Sequence, residues 1–218
     1  MPLNRTSEGG QMQKVDLKKE FKNLYSPSAK EVNLVDVPQM NFVMIDGSGD
    51  PNKAQEYRDA IEALYAVSYS IKFAVKKDQG MDYGVMPLEG LWWTDNMSLF
   101  STTNKDIWKW TAMIMQPEYV TKTLFESTLQ QVKKKKPLPG LSRARFQGFR
   151  EGQSAQIMYI GPFSAEGPTI ERIHEFIKTR GFIFDGVKQK HHEIYLSDPR
   201  KTAPDKLKTI IRQPVQPK

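Results

Sequence analysis

Glu193 and Tyr195 stand two residues apart in the run His191-His192-Glu193-Ile194-Tyr195-Leu196-Ser197-Asp198-Pro199, close to the end of the 218-residue chain. The run reads as a β-strand stopped by Asp-Pro, and alternation along a strand sends residues i and i+2 to one face. Glu193 and Tyr195 are therefore expected to point one way. Ile194 and Leu196 point the other way into an apolar layer, with His192 beside them. A carboxylate next to a phenol offers a proton acceptor and a proton donor to anything bound above them. The competing reading is a solvated strand face, where most charged residues sit. His191 and His192 read as exposed strand-end residues rather than ligands.

Composition removes several chemistries. The chain has no cysteine, which excludes disulfides, thiolate metal sites and a thiol nucleophile. Its three histidines, His174, His191 and His192, are too few and too badly spaced for a metal cluster. No apolar run approaches the roughly 18 residues of a membrane span, and the first residues lack the apolar core of a signal peptide. The expected protein is cytoplasmic, with no membrane partner and no cofactor. The net charge of +7 is concentrated: residues 133–146 carry six basic side chains and no acidic one, and residues 200–218 carry six against Asp205. The remainder is net acidic. No helix-turn-helix or base-stacking motif accompanies the charge, so nucleic acid is not the partner it indicates.

The elements that must position Glu193 and Tyr195 follow from periodicity. Residues 1–14 are polar and read as disordered, and 15–40 form an N-terminal arm with a short amphipathic segment through Val15, Leu17, Phe21 and Leu24. A buried strand covers 41–47, and a helix covers about 53–77 on the stripe Ala60, Ile61, Leu64, Val67, Ile71 and Ala74. An extended stretch runs through Pro87 to Trp92-Trp93, followed by a loop over 94–105. Residues 106–115 alternate cleanly and place Trp108, Trp110, Ala112 and Ile114 on one face. A second helix starts at Gln116-Pro117-Glu118. Strands are expected over 143–148 and 155–160, a helix over 164–180, and strands over 182–184 and 191–196. The tail, 200–217, reads as one helical turn around Leu207, Ile210 and Ile211.

This order is strand-helix-strand-strand twice, over about 41–136 and 137–199, within one domain at 41–217. The fold class is α+β: tandem βαββ repeats related by pseudo-two-fold symmetry around a central cleft. Such a junction is where ligand pockets tend to form.

Several motifs carry a resemblance. Leu17-Lys18-Lys19-Glu20-Phe21-Lys22-Asn23-Leu24-Tyr25, Val37-Pro38-Gln39-Met40-Asn41-Phe42, Asp46-Gly47-Ser48-Gly49-Asp50-Pro51-Asn52, Pro87-Leu88-Glu89-Gly90-Leu91-Trp92-Trp93 and the run from His191 to Pro199 resemble the GyrI-like small-molecule-binding family. That family is also met as the effector domain of multidrug-sensing regulators. The chain looks like its stand-alone branch, similar to cyclopropanoid cyclopropyl hydrolases. The resemblance implies an aromatic cleft and hydrolysis of the strained cyclopropane in DNA-alkylating natural products. Glu193 is then the candidate base that orients water, and Tyr195 the candidate donor to the phenolate oxygen that forms. A Glu in such a cleft is expected to be harder to ionise.

A flat polyaromatic ligand would lie between Trp92 or Trp93 and the pair Trp108 and Trp110. Alternation allows only one of Trp92 and Trp93 to face the cleft, and Trp93 is the one expected. Trp108 and Trp110 read equally as core. Glu89 reads as a second cleft carboxylate or a strand-edge charge, Tyr69 as site or helix core, and Tyr159 as site or strand end. Two other functions stay open: sequestration of flat or cationic drugs without chemistry, and a protein partner of the gyrase-modulator kind.

Overall fold

The computed structural model describes residues 12–96 and 104–218. In chain order its elements are β1 (Gln13–Val15), α1 (Leu17–Glu20), α2 (Lys22–Tyr25), β2 (Asn33–Ser48), α3 (Gln55–Gln79), β3 (Met81–Tyr83), β4 (Leu88–Trp93), β5 (Lys109–Gln116), α4 (Lys122–Lys135), β6 (Arg145–Ile160), α5 (Gly167–Thr179), β7 (Phe182–Ile183), β8 (His191–Tyr195), β9 (Lys208–Pro214) and β10 (Gln216–Pro217).

Six of the strands close into an antiparallel barrel in the order β2-β5-β4-β8-β9-β6. In each half the last strand lies between the first and the middle one, as β2-β5-β4 and β6-β9-β8. The halves join at two edges, β2 with β6 and β4 with β8. The two βαββ units expected around a central cleft are joined through both edges into one barrel.

The strand-helix-strand-strand order holds in both halves, but the second half uses different strands. Its last strand is β9, from the tail that was expected to be helical. Thr209, Ile210 and Ile211 are all fully buried, and they pair with β6 on one side and β8 on the other. Consecutive β-branched residues buried on both faces suit an interior strand, and such a short run shows no alternation to announce it. The segment expected as a barrel strand at 182–184 is instead β7, which pairs only with β10 outside the barrel.

Other boundaries moved for local reasons. The second helix begins at Lys122, after the expected Gln116-Pro117-Glu118, because the Thr121 side chain caps the backbone N–H of Leu124 at 3.2 Å. The two strands expected at 143–148 and 155–160 are one continuous β6. Gln13 and Lys14 lie in β1, which pairs in parallel with β3. The disorder expected over 1–11, and most of the loop expected over 94–105, fall outside the described residues.

Helix α3 buries Ala60, Leu64, Val67, Ile71 and Val75, spaced three or four apart on one face. It ends at Gly80, whose φ of 68° supplies the left-handed residue that closes a helix. Its buried side packs on the first half of the barrel, with Ser68 accepting a hydrogen bond from Gln116. Helix α5 covers the second half, where Ile173 and Ile177 join Ala155, Ile157 and Ile211 in a separate apolar cluster. The two barrel faces thus differ. One looks outward to the helices. The other lines the interior, where Glu89, His192, Ile194, Ile210 and Arg212 are buried.

Candidate functional site

The strand registers place Ile45, Ala112, Gly90, Glu193, Ile211 and Ile157 side by side across the barrel. Cross-strand partners share a face, so Glu193 lies on the face that α3 and α5 cover. Tyr195 and Trp92 follow by alternation, with Trp92 directly opposite Trp110.

The side chains on this face converge. Tyr195 donates its hydroxyl to Glu193 Oε2 at 2.8 Å, and Trp92 donates its indole N–H to the Tyr195 oxygen at 3.1 Å. The other carboxylate oxygen of Glu193 lies 3.1 Å from His191 Nε2. Tyr57, from α3, packs on Trp92 and edge-on against Trp110, with ring centroids 5.6 and 5.0 Å apart. Trp108 meets Trp92 at 5.6 Å, and Phe163 stands edge-on to the Tyr195 ring at 5.6 Å. The Lys105 ammonium sits over Trp108, 4.7 Å from the ring centroid.

Electrostatics correct one expectation. Burial works to raise the Glu193 pKa, but hydrogen bonding and charge from His191, with the Tyr195 hydroxyl, outweigh it and hold the carboxyl below its usual value. Glu193 is easier to ionise than usual. The carboxyl that is harder to ionise is Glu166, pushed up to about 9 by burial and then by the Glu193 charge. Tyr195 is raised well above the usual phenol value by burial and by Glu193, and Tyr57 is raised for the same two reasons. Both phenols are donors at neutral pH.

The expected site residues divide. Trp92, Trp108, Trp110, Glu193 and Tyr195 come together, although Trp110 is fully buried beneath Tyr57 and acts as floor rather than wall. Trp93, expected on this face, points to the opposite one, with the Lys190 ammonium 3.5 Å from its ring centroid. The pairing of Trp92 with His191 decides which neighbour turns toward the helices. Tyr69 lies on the outer side of α3, 47% exposed, in ring contact with Tyr65 and Phe73. Tyr159 bonds the Pro162 carbonyl at 3.0 Å and braces the turn before α5.

Glu89 is neither a cleft carboxylate nor an edge charge. It is fully buried on the interior face, where it accepts from Tyr25 at 2.7 Å and meets His192 at 2.9 Å. His192, expected at the surface, is 1% exposed and lies between Glu89 and Glu151. Burial lowers its pKa, but Glu151 and Glu89 outweigh that and raise it to about 9. Arg212 extends the chain from Glu151 to the Gln156 side chain and the Leu24 carbonyl. These contacts tie α2 to the barrel. His191 is buried too, joined through Gln213 to His174.

Sequence reasoning missed Tyr57 and Glu166. Tyr57 occupies the first buried position of α3, so the helical stripe held a signal for it. Glu166 lies in the turn after Gly161-Pro162, and only the packing of that turn over β8 reveals it. Two surface depressions, of about 420 Å³ beside Arg172 and Phe176 and about 370 Å³ beside Phe73 and Lys135, lie apart from this cluster. The Glu193 cluster is where polar groups and aromatic rings converge, which makes it the candidate site. Among the described residues no group of histidine and carboxylate side chains is arranged to hold a metal ion, and no helix is long and apolar enough to cross a membrane.

Comparison with known proteins agrees with this architecture. A structure described as an uncharacterized conserved protein from Listeria innocua is 42% identical, with a TM-score of 0.86 over 93% of this chain and 100% of the other. A structure described as a hydrolase from Listeria innocua is 41% identical, with a TM-score of 0.80 over 93% and 100%. Another hydrolase structure from that organism is 42% identical, with a TM-score of 0.83 over 94% and 100%. No match was found among curated proteins. A family model described as a GyrI-like small molecule binding domain matches residues 30–216, and the chain belongs to the GyrI-like family.

Proposed function

We propose that the protein is a hydrolase that opens the strained cyclopropane of cyclopropanoid DNA-alkylating compounds by adding water, and so detoxifies them. The observation that carries this reading is the hydrogen-bonded Glu193–Tyr195 pair set among Trp92, Trp108 and Tyr57. The description of two neighbours more than 40% identical as hydrolases supports it.

In such a substrate the cyclopropane is fused to a cyclohexadienone. Glu193, held charged by His191 and Tyr195, takes a proton from water. The water oxygen bonds to the cyclopropane methylene as the bond from that methylene to the dienone ring carbon breaks. That electron pair passes into the ring, which becomes aromatic, and the dienone oxygen becomes a phenolate. As Glu193 takes up the proton, the Tyr195 O–H that it had accepted turns to that oxygen, and each positioned group is worth roughly 10²–10⁴-fold. The aromatic side chains hold the flat ring system and exclude bulk water.

Incubation with a cyclopropane-fused dienone and detection of the water adduct by mass tests the reading. Tight binding with no adduct would select the second reading, a non-catalytic receptor. A charged carboxylate among aromatic rings suits a flat cation through charge and cation–π attraction.

A further inference from the structure

Glu166 stands out among buried groups that the mechanism above leaves unused. It is 5% exposed, and its Oε1 makes no hydrogen bond among the described residues. The hydroxyl of Thr209 acts on the Glu166 carboxyl as a hydrogen-bond donor, although no contact of ordinary hydrogen-bond length joins the two. Thr209 is the cross-strand partner of Tyr195, and Phe163, three residues before Glu166, packs on the Tyr195 ring. Glu166 occupies the N-cap position of α5, yet its side chain caps nothing. A buried oxygen left without a close partner is costly, so Glu166 Oε1, beside a reactive pair and only loosely reached by Thr209, marks a place for a ligand oxygen or a water.

We infer that Glu166 is the acid of the site, holding a proton beside Glu193 and passing it to the ligand oxygen on which charge develops. This rests on the hydrolase reading and deepens it. Tyr195 is a poor source of the proton, because burial and the Glu193 charge make its phenolate costly. Two carboxyl groups that feel each other strongly do not both ionise, so one proton stays with the pair. His191 and Tyr195 stabilise the charge on Glu193, which leaves the proton on Glu166. In turnover, Glu193 gains a proton from water as the carbon–oxygen bond forms, and Glu166 gives its own to the phenolate. The proton on Glu193 then returns to Glu166 and resets the pair. The other titratable groups that influence Glu166 or respond to it are Tyr195, Tyr159 and Lys105.

Two measurements test the inference. Infrared titration of the intact protein should show a buried carboxylic-acid carbonyl band at neutral pH that disappears as pH rises through about 9. The band should be lost in Glu166→Gln and not in Glu193→Gln. With a cyclopropane-fused dienone, Glu166→Gln should bind the compound with an affinity within a few-fold of the unaltered protein. Turnover of the unaltered protein should fall as pH rises through about 9, and that of Glu166→Gln should be lower by roughly 10²-fold or more with no such fall. A band absent from the unaltered protein, or one that survives Glu166→Gln, overturns the assignment without reference to turnover. Undiminished turnover in that variant overturns the donor role alone. A band present with no adduct formed by the unaltered protein overturns the hydrolase reading, and the donor role with it.

Discussion

The indole of Trp92 lies across Gly90 to give its N–H to the Tyr195 hydroxyl, so a glycine on β4 makes room for the contact that orients the phenol on β8. A Cβ at Gly90 would stand 2.7 Å from the indole nitrogen, and the fully buried Trp110 directly opposite Trp92 leaves the ring little room to retreat.

Gly90→Ala is therefore expected to displace Trp92 and release Tyr195. Overpacking of this kind costs about 1–3 kcal/mol. Denaturant unfolding should show that loss. Binding of a flat ligand, followed by tryptophan fluorescence, should weaken more than in a variant of similar stability altered elsewhere.

Removing the acceptor or the donor should separate binding from chemistry. Glu193→Gln and Tyr195→Phe keep the side-chain shapes and are expected to lower kcat by roughly 10²–10⁴-fold, with KM changed much less. Under the receptor reading, Glu193→Gln instead weakens a cation and leaves a neutral flat ligand unaffected. Isothermal titration with a matched cationic and neutral pair distinguishes the two.

The two adjacent tryptophans should behave unlike one another. Trp92→Phe removes the N–H that Tyr195 accepts and thins the ring contacts with Tyr57 and Trp108. Trp93→Phe alters a ring that faces Lys190 on the other side of the sheet. Ligand affinity should drop in the first variant and stay within about twofold in the second, a difference of less than ~0.5 kcal/mol.

The interior ion chain should make stability depend on alkaline pH. His192 has its folded pKa raised to about 9 against an ordinary value of 6.5. A group raised on folding stabilises fully below its unfolded pKa, and the contribution fades as pH climbs through the folded one. Unfolding free energy should fall by several kcal/mol between roughly pH 6.5 and 9.5, and His192→Gln should remove about half of that slope, because the proton held on buried Glu166 supplies the rest. Tyr25→Phe in the same chain leaves a buried Glu89 oxygen without its donor and should cost about 1–3 kcal/mol.

What the chain alone determined was local. Glu193 and Tyr195 share a face because a strand repeats every two residues, whatever it packs against. Helix α3 and the alternation through Trp110 were legible for the same reason. Tertiary pairing decided the rest. The cross-strand partner of His191 fixed Trp92 rather than Trp93 toward the helices, since alternation defines two faces without saying which is covered. The burial of His191 and His192 depended on Glu89, Glu151 and Gln213 arriving from distant strands. The tail became β9 because β6 and β8 offered two open edges to a short apolar run that carries no period of its own. Glu166 reached Glu193 only when the turn before α5 folded over β8, and a carboxyl's proton affinity is set by neighbours that linear order does not reveal.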